Sequence, residues 1–90
     1  MISQLPSFER AYGKLTPAHQ AAVAAAVARL EASFGRPHLH AGIGLRPFGR
    51  YFELRAGQNL RVLFIVESGD FFLATVGNHD QVRAYLKNNR

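Results

Sequence analysis

The chain has 90 residues, 48% of them hydrophobic and 19% charged, which is close to the average composition of soluble globular proteins. This length predicts one domain over residues 1–90, and it disfavours an enzyme that engulfs a cofactor, because so short a chain buries only about 60% of its unfolded surface. The chain has no cysteine, which excludes disulfides, thiolate zinc sites and cysteine nucleophiles.

Positive charge dominates the sequence. Eleven Lys and Arg against six Asp and Glu give a net charge of +5, and nine of the eleven cations are Arg. Guanidinium groups fit phosphate and carboxylate oxygens, and eight of the cations lie in residues 36–90, so we expect an anion-binding surface in the second half. The alternative is that the charge only aids solubility. Neither a membrane span nor a signal peptide is predicted, and we expect a cytoplasmic protein.

The first third of the chain is predicted to be helical. Ser7 can cap a short helix that ends between Gly13 and Thr16. Thr16 followed by Pro17 predicts the start of a second helix of about 18 residues, and Gly35 predicts its end. The apolar stripes expected to face the core are Phe8, Tyr12 and Leu15 on the first helix and Val23, Val27, Leu30 and Phe34 on the second. Residues 1–5 are a weaker candidate for an edge strand.

Strands are predicted after a loop over residues 36–49. Alternation over residues 50–55 predicts a half-exposed strand, and the apolar residues 60–66 predict a strand covered on both faces. Ser68-Gly69-Asp70 predicts a tight hairpin into a strand over residues 71–76, so the three strands are expected to form an antiparallel meander. Asp80 can cap a final short helix. Val82, Tyr85 and Leu86 are expected to share its buried face.

The meander brings together side chains that suit phosphate chemistry. Tyr51, Glu53 and Arg55 are expected on the exposed face of the first long strand, with Arg61 across the turn. Two guanidinium groups in this arrangement can clamp a phosphate, because charge-assisted hydrogen bonds from a planar fork suit that group. The same residues also suit an ordinary cross-strand ion pair between Glu53 and one of the arginines.

The remaining candidates are three histidines and one tyrosine. His79 follows the last strand, where an exposed imidazole can transfer protons near neutral pH. Tyr85 lies six residues further on, placed either to stack on a base or to pack in the core. His38 and His40 form an H-x-H pair, but further ligands are missing, so we interpret the pair as part of a surface loop and predict no metal site.

Three runs resemble a known family: LRPFGRYFELRAGQNLRVLFIV over residues 45–66, GDFFL over 69–73 and VGNHDQVRAYL over 76–86. They look like the toxins of the RelE/ParE superfamily of toxin–antitoxin modules, and the runs FERAYGKL and TPAHQ resemble its N-terminal helical hairpin. The resemblance implies an α+β fold, with a small antiparallel sheet, two N-terminal helices packed on it and a short C-terminal helix.

For the RelE branch the resemblance implies a metal-independent endoribonuclease, an mRNA interferase that cleaves mRNA at the ribosomal A site by attack of the 2′-OH on the adjacent phosphate. No cofactor is implied. The catalytic residues carried over are Arg61 at the scissile phosphate, Arg55 in support, His79 as the acid and Glu53 as the base. Tyr85 is carried over as a tyrosine that stacks on a substrate base, and Tyr51 and Arg50 are assigned to substrate binding beside it. Tyr51 and Glu53 stand where the best-known RelE enzymes have lysines.

Two alternatives remain open at this point. One is a ParE-like inhibitor of DNA gyrase that needs no acid or base, and the other is an inactive homologue that binds an antitoxin. If Glu53 pairs with Arg61, the site is neutralised, which favours these alternatives. In every case the resemblance implies an acidic cognate antitoxin, with any contact to DNA made indirectly through that partner, and no membrane partner.

Overall fold

Five strands and three helices form residues 1–32 and 46–89, the part of the chain that the computed structural model describes. In chain order they are β1 (Ile2–Gln4), α1 (Pro6–Gly13), α2 (Pro17–Ala32), β2 (Arg46–Phe48), β3 (Tyr51–Ala56), β4 (Leu60–Glu67), β5 (Asp70–Gly77) and α3 (His79–Asn88). The strands form one sheet in the order β1-β5-β4-β3-β2. The predicted α+β class and the antiparallel meander, here β3-β4-β5, are confirmed.

The main core lies between one face of the sheet and the two N-terminal helices. Phe8 of α1 and Leu30 of α2 are almost fully buried against it. Alternate residues of the strands complete this core, as the two-residue period of a strand requires: Leu54, Ala56, Leu60, Val62, Phe64, Phe71, Leu73 and Val76. The predicted packing of two helices on one face of the sheet is therefore confirmed.

Helix α3 covers part of the opposite face of the sheet. Val82, Tyr85 and Leu86 pack on a second cluster that contains Tyr51 and Leu63. This packing corrects the prediction of an exposed face on β3. Tyr51 is 4% exposed and Glu53 is 8% exposed, and of the three residues assigned to that face only Arg55 is exposed. Two-residue alternation cannot reveal that a distant helix will cover the polar side of a strand.

Both ends of the sheet differ from the predictions. The loop expected over residues 36–49 contains β2, which pairs antiparallel with β3 through a turn at Gly49, whose φ is +62°. At the other end, residues 2–4 form the edge strand β1, but it runs parallel to β5, so the sheet is mixed rather than wholly antiparallel. Phe34, Gly35, His38 and His40 lie outside the described residues.

Two predicted helix caps are wrong. Helix α1 begins at Pro6 without a side-chain cap, and the Ser7 hydroxyl instead donates to the carbonyl oxygen of Ala74 on β5. Asn78, rather than Asp80, caps α3, because its side chain accepts from the Gln81 amide while the Gln81 side chain accepts from the Asn78 amide, both at 2.8 Å. This reciprocal pair is a capping box with glutamine at its third position.

The β4–β5 hairpin follows the predicted turn chemistry. Glu67 pairs with Asp70, and the two residues between them have positive φ, +52° at Ser68 and +82° at Gly69, as a type I′ turn requires. The strand before the turn was expected to be covered on both faces, but Val66, next to the hairpin, is 39% exposed. Within the described residues, no helix is both long enough and apolar enough to cross a membrane.

Candidate functional site

Glu53 and Arg61 form an ion pair on the α3 side of the sheet. Arg61 Nε lies 3.3 Å from Glu53 Oε1, and the side chains are only 18% and 10% exposed. The Arg61 Nη1 atom donates to the carbonyl oxygens of Leu60, at 3.3 Å, and Gln58, at 3.5 Å. Within the described part of the chain, Arg61 Nη2 and Glu53 Oε2 therefore have no hydrogen-bond partner.

Arg55 lies directly across the sheet from Arg61. The two are register partners in the β3–β4 ladder, and like charges in opposed positions destabilise an antiparallel pair. Glu53 offsets the charge of Arg61, whereas Arg55 is exposed and forms no ion pair with any described residue. The predicted convergence of two arginines and one carboxylate is present, and an anion placed between the two guanidinium groups would relieve their repulsion.

A groove of about 840 Å³ separates β3 from one side of α3. Glu53 and Tyr51 lie along the sheet wall of the groove, Arg50 and Gly49 lie at the turn before β3, and His79 lies at the start of α3. The remaining lining residues come from α3 and are Arg83, Ala84, Leu86 and Lys87. The groove therefore contains four of the seven site residues predicted from the sequence: Glu53, His79, Tyr51 and Arg50.

Two cations in this groove were not identified from the sequence. Arg83 and Lys87 are four and eight residues after His79, and a spacing of four places side chains on one side of a helix. All three line the groove and are exposed. The signal that would have found them is the four-residue spacing of basic side chains, read together with the Val82 and Leu86 stripe that marks the buried side of the same helix.

Tyr51 connects the turn before β3 to the end of α3. Its hydroxyl donates to the carbonyl oxygen of Asn89 at 2.9 Å and accepts from Arg50 Nη2 at 3.2 Å. The Arg50 guanidinium carbon lies 5.1 Å from the centre of the Tyr51 ring, and the Tyr85 ring meets that ring edge-on at 6.1 Å. These contacts make Tyr51 a positioning residue for Arg50 and for the last turn of α3.

Tyr85 is the predicted site residue that lies furthest from the expected arrangement. Its ring packs on Tyr51, but the residue lines a separate crevice on the other side of α3, between that helix and α1. It is only partly buried, so its outer edge remains accessible. The structure thus brings Glu53 and His79 to one groove and Tyr85 to another surface.

The groove chemistry suits an anionic ligand. Arg50, Arg83 and Lys87 supply positive charge, Glu53 supplies a proton acceptor, and His79 is a group that can give or take a proton. Over residues 1–32 and 46–89, no three His, Asp or Glu side chains gather as metal ligands. A phosphodiester is the anion that would use all of these groups.

Comparisons with known proteins identify the fold. No protein-family model matches the sequence, and no curated protein matches it. The structure is similar to a toxin chain of the RelB-RelE antitoxin–toxin complex from Methanococcus jannaschii, with a TM-score of 0.67 and 12% identity over 92% of this chain and 96% of that one.

A second similar structure is the toxin–antitoxin complex RelBE2 from Mycobacterium tuberculosis, with a TM-score of 0.60 and 20% identity. That alignment covers 88% of this chain and 96% of the other. Near-complete coverage of both solved chains means that the sheet and its helices correspond as a whole. The chain described here therefore has the RelE toxin fold.

Proposed function

We propose that this protein is the toxin of a toxin–antitoxin pair and that it acts as a metal-independent endoribonuclease on mRNA at the ribosomal A site. The observation that carries the proposal is that Glu53, paired with Arg61, lines the same groove as His79. Cleavage by the 2′-OH needs a base, an acid and a positive charge at the phosphorane. A carboxylate, an imidazole and a guanidinium can supply these three roles. The RelE toxin fold supports the same assignment.

In the proposed reaction Glu53 takes the proton from the ribose 2′-OH. The 2′-oxygen then attacks the adjacent phosphorus, and the bond from phosphorus to the 5′-oxygen breaks. His79 gives a proton to that leaving oxygen, so the products are a 2′,3′-cyclic phosphate and a 5′-OH end. Glu53 Oε2 is the oxygen that would accept the proton, since Oε1 is paired with Arg61.

Arg61 and Arg55 would stabilise the extra negative charge of the phosphorane. The Nη2 group of Arg61 is available for this contact, because the other nitrogens of that guanidinium are engaged by protein oxygens. Fixed donors aimed at developing charge are typically worth a factor of about 10² to 10³ in kcat. The Glu53 contact fixes the Arg61 fork, which reduces the reorganisation needed when the substrate arrives.

The groove cations also indicate the chemistry of a protein partner that would bind the groove and inhibit the toxin. Arg50, Arg83 and Lys87 surround an apolar strip formed by Ala84 and Leu86. An acidic segment with apolar side chains would satisfy both features. We therefore propose an acidic antitoxin that occupies this groove, with any contact to operator DNA made through the antitoxin.

The Glu53–Arg61 pair also supports a second candidate function. A guanidinium whose charge is offset by a carboxylate contributes less to a phosphate site than a free one. A non-catalytic toxin that inhibits DNA gyrase would need neither the acid nor the base. Removal of His79 should abolish the activity of a ribonuclease and leave that of a gyrase inhibitor unchanged, so a single substitution distinguishes the two candidates.

The test is a brief induction in cells followed by mapping of new 5′ ends on translated mRNA. We expect cuts within codons for the unmodified protein, and no cuts for His79→Gln and Arg61→Lys. His19→Gln is the matched control, because His19 is an exposed histidine on α2, far along the chain from the groove. Arg61→Lys is chosen over Arg61→Ala because it leaves a positive charge beside Glu53.

Intact mRNA with arrested growth and a DNA-damage response would overturn the ribonuclease proposal in favour of gyrase inhibition. Intact mRNA with normal growth would point instead to an inactive homologue that binds an antitoxin. Cuts that persist in His79→Gln would reject the assigned acid while keeping the activity. Treatment of the purified protein with EDTA, followed by its return to ribosome buffer, should leave cleavage of programmed ribosomes unchanged if the protein needs no tightly bound metal.

A further inference from the structure

A second concave surface lies on the side of α3 that faces α1. It is a crevice of about 560 Å³ at the edge of the sheet, where β5 continues beyond the end of β1. The lining residues are Ser7, Arg10, Ala11, Lys14, Leu15, Thr75, Val76, Gln81, Tyr85 and Asn89. Apart from Tyr85 and Asn89, whose carbonyl oxygen accepts from Tyr51, none of them belongs to the site described above.

The two charged side chains that line the crevice are both positive. Arg10 and Lys14 are four residues apart on α1 and therefore lie on the same side of that helix. Both are exposed, neither forms an ion pair with a described residue, and no lining residue is acidic. The larger groove contains the carboxylate of Glu53, so the crevice differs from it in offering an anion only attractive charge.

Several hydrogen-bond donors in the crevice have no partner among the described residues. Thr75 as a whole residue is 9% exposed, and its hydroxyl forms no hydrogen bond with them. Since no polar side-chain atom of those residues is both fully enclosed and unpaired, this hydroxyl must reach the surface of the crevice. The hydroxyl of Tyr85 and the Nε2 amide of Gln81 are also without a hydrogen-bond partner there.

These donors surround the space from three directions. Arg10 and Lys14 approach from α1, Thr75 lies on the strand below, and Gln81 and Tyr85 approach from α3. A tetrahedral phosphate accepts hydrogen bonds on several oxygens at once, and buried polar groups are normally satisfied by a partner. Since the Thr75 hydroxyl reaches the crevice surface without a partner among the described residues, it can donate to a ligand oxygen there, and the arrangement suits a bound phosphate.

We infer that the crevice binds a backbone phosphate of single-stranded RNA, outside the scissile site. The inference rests on the proposed ribonuclease function for the identity of the strand. Gln81, Tyr85 and Asn89 repeat every four residues along one side of α3, as His79, Arg83 and Lys87 do along the side that lines the groove. The two sites lie on either side of one helix, whose diameter is about 10 Å, so a single strand can cross α3 and reach both.

The first experiment measures binding of a fluorescent, fully 2′-O-methylated oligoribonucleotide, which lacks the 2′-OH needed for cleavage. Arg10→Gln and Lys14→Gln are each expected to weaken binding about fivefold and to reduce the slope of log K against log salt by about 0.7, the value for one lost phosphate contact on a single strand. Arg29→Gln is the matched control, because Arg29 is an exposed arginine on α2. It is expected to bind within about twofold of the unmodified protein.

The second experiment removes the hydroxyls without changing charge. Thr75→Val and Tyr85→Phe are each expected to weaken binding about tenfold or more, the loss typical of one hydrogen bond to a charged group. Thr75→Ser retains the hydroxyl and is expected to restore binding. Tyr85→Phe preserves the ring contact with Tyr51, so the position of α3 is not altered. Thermal unfolding of each variant identifies any loss that arises from instability.

The third experiment places the anion on the structure. Titration of the full chain with inorganic phosphate is expected to shift the backbone amide NMR signals of Thr75, Gln81 and Ser7 in the unmodified protein and not in Lys14→Gln. Unshifted signals at these positions, or equal oligonucleotide affinity for Arg10→Gln, Lys14→Gln and Arg29→Gln, would overturn the inference. The proposed ribonuclease function would survive that result if mRNA were still cut within codons. If mRNA were not cut but phosphate still shifted the Thr75 signal, the ribonuclease proposal would fail and the phosphate site in the crevice would remain.

Discussion

Glu53 and Arg61 form an ion pair at 3.3 Å beneath the edge of α3, with side chains that are 10% and 18% exposed. Charges taken so far out of water are stable only with a partner, and loss of one partner leaves the other uncompensated. The pair therefore fixes the position of both groups. It also ties the stability of the fold to the charges that the proposed reaction uses.

The charges of Glu53 and Arg61 are expected to contribute to stability as a coupled pair rather than independently. Arg61→Gln and Glu53→Gln should each lower the free energy of unfolding by about 2 kcal/mol, because each leaves a nearly buried charge alone. The double variant should lose less than the sum of the two, with a coupling energy of at least about 1 kcal/mol. Urea unfolding of the four proteins measures this cycle. Additive losses would show that the contact contributes nothing to stability.

Tyr51→Phe is expected to loosen the end of α3 while leaving its ring packing intact. The variant loses the hydrogen bond from the hydroxyl to the Asn89 carbonyl oxygen and the one from Arg50. The free energy of unfolding should fall by about 1 kcal/mol, and amide hydrogen exchange should accelerate in the last turn of α3. Tyr12→Phe is a control at a partly buried tyrosine, whose hydroxyl donates to the Gln20 carbonyl oxygen. Its exchange effect should be confined to the contact between α1 and α2.

The elements with strong local signals were predictable from the sequence. Proline after Thr16, the change from helical to alternating periodicity, and Ser68-Gly69 led to α2, the meander and the hairpin, all of which the structure contains. The juxtaposition of Arg55 with Arg61 was also predictable, because a hairpin register follows from its turn. The resemblance to RelE toxins led to the fold that the comparisons identify.

Most of the failures share a physical cause, which is that they depend on contacts between distant parts of the chain; the unpredicted β2 and the cap at Asn78 are local exceptions. Burial of Tyr51 and Glu53 arises from α3, about thirty residues further on, and the order β1-β5 is set by packing of the first residues on the last strand. Ser7 was expected to cap a helix locally but bonds to Ala74. Arg83 and Lys87 went unnoticed because their role depends on which side of α3 faces the groove.

Asn78 is expected to be the main determinant of where α3 starts. Its side chain and that of Gln81 satisfy each other's backbone amides, so Asn78→Ala should lower the free energy of unfolding by about 1 kcal/mol. Asn78→Asp should retain most of the stability, since a carboxylate also accepts from the Gln81 amide and suits the helix N-terminus. Asn88→Ala, near the other end of the helix, is the control. Equal stability of Asn78→Ala and Asn88→Ala would contradict the assigned cap.

Gly77 is expected to tolerate no side chain. A β-carbon placed there would lie 2.6 Å from Gln81 Oε1 and 2.9 Å from Gln81 Cβ, and rotation of the glutamine side chain relieves only the first of these contacts. Gly77→Ala should therefore cost about 1–3 kcal/mol of stability. Gly13→Ala is the matched control, because nothing lies within 4 Å of its added carbon and it ends a helix. That variant should be about as stable as the unmodified protein or slightly more so, by up to about 1 kcal/mol.

Arg83 and His79 are expected to affect different kinetic constants if the groove cleaves RNA. Arg83 lines the groove one helical turn beyond His79 and has no described ion-pair partner, so it suits a phosphate of the bound strand away from the leaving oxygen. Arg83→Gln should raise KM about fivefold with kcat nearly unchanged, whereas His79→Gln should lower kcat by a factor of about 10² to 10⁴.

Cleavage of programmed ribosomes under single-turnover conditions separates these two effects. Arg83→Lys should recover most of the affinity, because a contact with one phosphate depends mainly on charge. A fall in kcat for Arg83→Gln equal to that for His79→Gln would place Arg83 at the reacting phosphate instead. In that event the charge on the phosphorane would be stabilised from α3 as well as from β4. Partial neutralisation of the Arg61 charge by Glu53 would then lower the cleavage rate less.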